Sequence, residues 1–208
     1  MADHVYVYGI VEDADLSFEA EGVGGATEIR TVEYRSLSAI VSEIDTTDPD
    51  RTDEDVERHN DVLGTVLEEG YTVVPMSFGM AFKNARTLKG VLRGANRALR
   101  KTLAEIDGTV ELGVKLVDTG LEADPDEVQA EIGDRLDEVS INDTDDDLFS
   151  DRLVLNRSYL VDRDERDRFD DAIDDVREAY GDALTVQYTG PWAPYNFVDV
   201  HIGADRGS

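Results

Sequence analysis

Acid dominates this chain, and any fold it adopts has to keep that acid at a surface. Asp and Glu number 48 against 20 Lys and Arg, a formal net charge of -28. Aspartate outnumbers glutamate 30 to 18, and only Lys83, Lys89, Lys101 and Lys115 are lysines. Such a balance accompanies disorder when apolar residues are scarce. Here 40% of the residues are hydrophobic, and they recur periodically along most of the chain, so the sequence reads as folded domains with an acidic exterior. A folded protein this acidic repels itself in dilute salt. Molar salt shortens the Debye length to about 3 Å and removes most of that repulsion. The charge therefore fits the cytosol of a salt-accumulating cell, and it argues against nucleic acid as a partner, which calls for a basic footprint.

The chain has no cysteine, which excludes disulfides, thiolate catalysis and sulfur-based metal sites. "MADHVYVYGIV" has no basic region before its apolar run, so it does not read as a signal peptide. No apolar stretch approaches the ~20 residues of a membrane span. The expectation is a soluble intracellular protein with no membrane partner.

Strands are expected at 4–11, 26–34 and 37–44, where Val, Ile and Tyr alternate with polar residues. A polar linker at 46–55 leads into a helix whose buried face is Val56, His59, Leu63, Val66 and Leu67, with Thr52 or Asp53 as cap. "YTVVPMSFGMAF" (71–82) reads as a strand that Pro75 confines to an edge or a bulge. Leu88, Val91, Leu92, Ala95, Leu99, Leu103 and Ile106 form one stripe of a long helix over 84–108. A strand at 109–117 follows, and then "DPDE", where Asp124, Pro125 and Glu127 mark a helix start with a capping box. That helix buries Val128, Ile132, Leu136 and Val139. "NDTDDD" (142–147) reads as a solvated acidic loop, 152–161 as a strand, and 163–181 as a helix burying Phe169, Ile173, Val176 and Tyr180. Strands at 184–188 and 195–202 close the chain. Strands grouped before and between helices give an α+β class, and two small domains, 1–108 and 109–208, each with ferredoxin-like character, fit the pattern best.

Catalytic, cofactor and metal motifs are missing from this reading. Counted from Asp143, the sixth and twelfth positions of a calcium loop are Leu148 and Val154, which cannot serve. His4, His59 and His201 have no metal-protease spacing, and His59 on an apolar helix face reads as a satisfied core histidine. "GVGG" (22–25) lacks the Gly-Lys-Ser/Thr of a phosphate loop. The expectation is a protein that is not an enzyme and holds no cofactor or metal.

Two irregular apolar stretches remain, "VVPMSFGMAF" (73–82) and "GPWAPYNFV" (190–198). Alone, each reads as structure: a bulged strand under a helix, and a stiff segment whose Trp192 covers the C-terminal core. Together with "VYVYGIV" near the start and "ERHNDVL" (57–63), they resemble the gas vesicle protein F/L family, in its haloarchaeal type. The matching positions are Pro75, Phe78 and Gly79 in the middle motif, and Gly190, Pro191, Trp192, Pro194, Tyr195 and Phe197 in the terminal one. Ser77, Met80 and Ala193 depart from the family pattern of Arg, Thr and Pro. The resemblance implies two modified ferredoxin-like domains. It also implies an accessory or minor structural component of gas vesicles, present there and in the cytoplasm. The implied partners are the hydrophobic shell protein A, kept from aggregating early in assembly, and other accessory proteins. A different class, a small-molecule-binding regulatory module, is the alternative that tandem ferredoxin-like domains allow.

One stretch breaks the acidic rule. From Gly70 through Ala104 there is no acid, and seven bases fall there. On a helix, Arg86, Lys89, Arg93, Arg97 and Arg100 line up opposite the Leu88–Leu99 stripe. They form a candidate partner-binding face, with a solvated face and a dock onto the acidic helix at 163–181 as its alternatives.

Overall fold

In the computed structural model, which describes residues 4–148 and 150–199, the chain divides into two units. One comprises the residues up to Asp107 together with those from Ala193 on; the other is Gly108–Trp192. The sequence cut the chain once, after 108; the structure returns the final stretch to the first unit. The physical reason is packing: Val198 lies against the first unit's core, and the Tyr195 hydroxyl donates to Asn60 Oδ1 at 3.2 Å.

The first unit is built on a mixed-length antiparallel sheet. Its strands are β1 (His4–Glu12), β2 (Ser17–Glu19), β3 (Glu28–Tyr34), β4 (Leu37–Ile44), β5 (Val74–Pro75) and β6 (Ala81–Phe82). The order is β2-β3-β4-β1-β5, with β6 also on β1. β5 and β6 are thus two pieces of one interrupted edge, pairing β1 at Gly9/Ile10 and at Val5/Tyr6. The expected strand at 71–82 is broken in its middle, and Pro75 does sit at the edge, where its missing N–H costs no ladder bond. Helices α1 (Asp53–Glu68) and α2 (Ala85–Glu105) complete the unit. Thr52 caps α1 by accepting the Asp55 N–H, and Asn84 caps α2 by accepting the Thr87 N–H.

β1 is buried from Val5 through Val11, because a helix lies on each of its faces. Val5 and Val7 meet Leu88, Leu92 and Leu99 of α2 in the main core. A bulge between Val7 and Gly9 changes the register against β4. It turns both Tyr8 and Gly9 toward α1, where a Cβ on Gly9 would come within 2.9 Å of Leu63. A side chain at position 9 would therefore have to displace Leu63, Val73 and the Val74 carbonyl.

The second unit runs β7 (Thr109–Asp118), α3 (Pro125–Asp137), β8 (Asn142–Asp145), β9 (Leu153–Asp162), α4 (Arg166–Tyr180) and β10 (Leu184–Trp192). Its sheet order is β10-β7-β9-β8, antiparallel throughout. This is the βαββαβ connectivity of a ferredoxin-like fold. The first unit modifies it, putting a β-meander where the second has its first helix. Leu112, Val114 and Leu116 of β7 alternate onto the core with Ile132, Leu136, Phe169 and Ile173 of the helices. Asp124 caps α3 through the Asp126 N–H at 2.9 Å, one residue earlier than a capping box.

Two sequence expectations fail here. The acidic stretch 142–147 is not a loop: its first four residues form edge strand β8 on β9. Arg157 of β9 holds it there, with Asp145 at 2.7 Å, Asp143 at 3.4 Å and Asp137 of α3 at 3.5 Å. Ser158 and Asn156 of the same strand donate to Asp146 and to the Asp147 carbonyl. The strand expected at 195–202 begins instead as a single 3-10 turn at Tyr195–Phe197, and 200–202, with His201, lie outside the described residues.

Candidate functional site

The family-like motifs, scattered through the sequence, meet at His59. It lies on the buried face of α1, 2% exposed. Tyr6 and Tyr8 come to it from β1, Phe78 from the break between β5 and β6, and Tyr195 from the returning C-terminal stretch. Their ring centroids lie 5.7, 5.4, 6.1 and 6.4 Å from the imidazole. Tyr6 and Tyr8 pack edge to face at 4.9 Å, a favourable arrangement for ring quadrupoles.

Hydrogen bonds run through this cluster in one consistent direction. Gly79 N–H donates to the Tyr6 hydroxyl at 3.3 Å. Tyr6 then donates to His59 Nδ1 at 2.8 Å, and His59 Nε2–H donates to the Met76 carbonyl at 3.1 Å. That assignment makes the imidazole neutral, with its proton on Nε2, and leaves neither ring nitrogen unused. Burial drives the His59 pKa down to about 4; the Met76 bond opposes the shift and Arg51 adds to it. Burial likewise raises the Tyr6 and Tyr8 hydroxyls above the ordinary tyrosine range. Tyr8 pins a second loop: its hydroxyl accepts the Val23 N–H at 3.0 Å and shares a 2.9 Å bond with Ser42 Oγ.

The cluster therefore fixes backbone. Met76–Met80 leaves the sheet edge between two ladder-like bonds, Met76 N–H to Tyr8 O and Val7 N–H to Met80 O. Gly79 lies there at φ 94°, a conformation that side chains strain to adopt. Phe78 is half-buried, with Arg51 stacked 5.5 Å from its ring centroid. Pro75, Phe78 and Gly79 thus belong to one His-anchored loop. The sequence marked those residues and His59 separately but carried no signal that Tyr6 and Met76 would be its partners.

"GPWAPYNFV" divides between the units. Gly190, Pro191 and Trp192 end β10, where the register shifts and Trp192 pairs with Glu111. Ala193 and Pro194 are buried, Tyr195 faces His59, and Phe197 is half-buried. Trp192 does not cover the C-terminal core: it is 41% exposed, because the bulge turns it to the face of the second sheet away from α3 and α4. There it borders a cavity of about 200 Å³ lined by Glu111, Lys115, Asn156, Ser158 and Gln187. Among the described residues no group of three His, Cys, Asp or Glu could hold a metal ion, and no helix is long and apolar enough to cross a membrane.

The basic face stands on α2. Arg86, Lys89, Arg93, Arg97 and Arg100 are all exposed, opposite buried Leu88, Leu92 and Leu99. Arg100 alone of the five has an acidic partner among the described residues, Glu12 at 3.6 Å.

Comparison with known proteins places this architecture. The family model described as "Gas vesicle synthesis protein GvpL/GvpF" matches residues 4–122 and 115–199. The chain belongs to the GvpL/GvpF family of gas vesicle synthesis proteins. It is 66% identical to gas vesicle protein F of Haloferax mediterranei, over 99% of this chain and 98% of that one. It is 63% identical to gas vesicle protein F1 of Halobacterium salinarum, over 99% and 98%. The fold is that of the GvpF crystal structure from Anabaena sp., with a TM-score of 0.82 and 18% identity over 95% of this chain and 96% of the other. The protein is thus a gas vesicle assembly protein of the F type by kinship, and the His59 cluster is where its family-like motifs converge.

Proposed function

We propose that this chain is an accessory or minor structural gas vesicle protein that binds the hydrophobic shell protein A, keeps it from aggregating and assists early vesicle assembly. The observation that carries this reading is the end-to-end match to F-type gas vesicle proteins. The physics is consistent with it. A shell subunit with one apolar side exposes, before assembly, a patch that associates nonspecifically. A soluble partner that covers the patch keeps it from meeting the patches of other shell subunits. The His59 cluster supports a scaffold role, because its bonds hold its own backbone at Met76 and Gly79 and present no reactive group. On this reading the protein works without catalysis or cofactor, in the cytoplasm and at the vesicle, beside other accessory proteins.

The test is light scattering of purified shell protein diluted into molar KCl. An equimolar amount of this chain is expected to suppress the scattering and to co-purify with the shell protein. Unchanged scattering and no co-purification would overturn the proposal. The polar cavity beside Trp192 favours one other reading, a small-molecule-binding regulatory module. A thermal-shift screen with nucleotides and amino acids tests it: a saturable rise in Tm that Gln187→Ala abolishes would support it, and no shift would dismiss it.

A further inference from the structure

The outer face of α2 departs from the rest of this surface in two ways. First, it is basic where acid is the rule. Arg86, Lys89, Arg93 and Arg97 make no ion pair among the described residues, although the chain carries 48 acids. At 100° per residue these four fall within about 80° of arc and repeat each turn along the ridge. Second, the ridge is flanked by a smooth strip. Gly90 and Gly94 are exposed in mid-helix, with nothing within 4 Å of the place a Cβ would take, and Ala98 continues the line one turn on. Glycine at such positions weakens a helix relative to alanine, and nothing inside the unit needs the space.

We propose that this face of α2 docks an acidic helix of another gas vesicle protein. The cation ridge meets carboxylates spaced one turn apart, and the Gly90–Gly94–Ala98 strip lets the incoming backbone approach closely. The charge pattern selects the occupant. In molar salt only ion pairs at contact distance retain attraction, so the ridge acts by direct pairing with a helix that lies along it. A nucleic acid, charged along its whole length, is repelled by the remainder of this chain. A second copy of the chain brings a net charge of -28 of its own, so like charges meet wherever its surface touches this one outside the ridge.

This inference rests on the assembly reading for the choice of cells, and its test separates the two. In gas-vesicle-producing cells, a photo-crosslinking residue replaces Ala98, and crosslinked peptides are read by mass spectrometry. The expected product joins position 98 to a segment of another gas vesicle protein with carboxylates at one-turn spacing. Its yield should fall about tenfold in Arg93→Glu/Arg97→Glu, and also in Gly90→Gln/Gly94→Gln, which keeps the charge but fills the strip. Both double variants should melt no lower than the parent, because these side chains touch no core. Crosslinks only to copies of this chain or to nucleic acid, or a yield unchanged in both variants, would overturn the docking surface. Shell-protein binding by the wild-type chain with unchanged crosslinks in the variants would sink the surface and leave the assembly reading standing. Lost shell-protein binding with acidic-helix crosslinks intact would do the reverse.

Discussion

The two units treat their central strands differently. β7 of the second unit shows apolar residues to two helices on one face and Glu111, Lys115 and their polar neighbours on the other. β1 of the first unit has a helix on each face and is buried along nearly its whole length. One face of β1 is aliphatic, while the other carries Tyr6 and Tyr8 into hydrogen bonds with His59, Ser42 and two loop backbones. A sheet with helices on one face can gather its polar groups on the other, where Asn156 and Ser158 are buried but paired with the β8 stretch. A two-sided sheet that keeps them must satisfy every one inside. The second unit should therefore depend on packing volume, and the first on packing plus a polar network that responds to pH.

The largest effect that sharpens this contrast is a cavity in the second unit. Phe169 is fully buried and packs on Tyr159 at 5.2 Å and Tyr188 at 6.0 Å. Phe169→Ala is expected to cost about 3–5 kcal/mol with little pH dependence of its own. The chain's single tryptophan belongs to this unit, so its emission reports this melting. If it shifts no more than the far-UV signal of the first unit, the two units are not separate in stability.

The next effect is pH. His59 has a folded pKa of about 4 against 6.5 unfolded, so between those values the unfolded chain binds more protons. Stability contributed by neutral His59 is therefore complete above pH 6.5 and is lost as pH falls toward 4, by about 3 kcal/mol in all. The second unit, Gly108–Trp192, contains no histidine. His59→Gln, which can still donate and accept, should flatten that slope in denaturant melts at pH 6.5 and 4.5. An equal slope in wild type and variant would break the contrast.

A smaller loss is expected from Tyr6→Phe, which leaves the Gly79 N–H and His59 Nδ1 without their bond at a cost of about 1–3 kcal/mol. Hydrogen exchange at Gly79 should quicken while exchange in β9 stays as it was. The smallest effect is expected at Trp192. At 41% exposure, Trp192→Ala should cost about 1 kcal/mol or less, measured by calorimetry. A loss as large as that of Phe169→Ala would restore the core role that the sequence first suggested for it.

Much of the fold was legible in the residues. The stripe Leu88–Leu99, the cap at Asp124 and the alternation of β7 are local signals, each read within one or two turns or one strand, and the structure repeats them. The acidic stretch at 142–147 misled because its strand character depends on Arg157, twelve residues beyond Asp145. The site was half visible: Pro75, Phe78, Gly79 and Tyr195 could be marked one by one, and His59 recognised as a core histidine. What made them one cluster could not be read from spacing.

By itself, then, the sequence determined the class of fold, the buried face of each helix, the acidic exterior and the family resemblance, since all of these rest on composition or on short periods. Only the tertiary structure decided that Tyr6 reaches across 53 residues to His59, that Tyr195 returns to the first unit, and that Trp192 faces outward. Strand irregularities decide two of the side-chain directions, that of position 9 through the bulge between Val7 and Gly9 and that of Trp192 through the register shift between Thr189 and Trp192. One inserted residue reverses which face a strand side chain takes, and the sheet partners that admit such an insertion come from far along the chain.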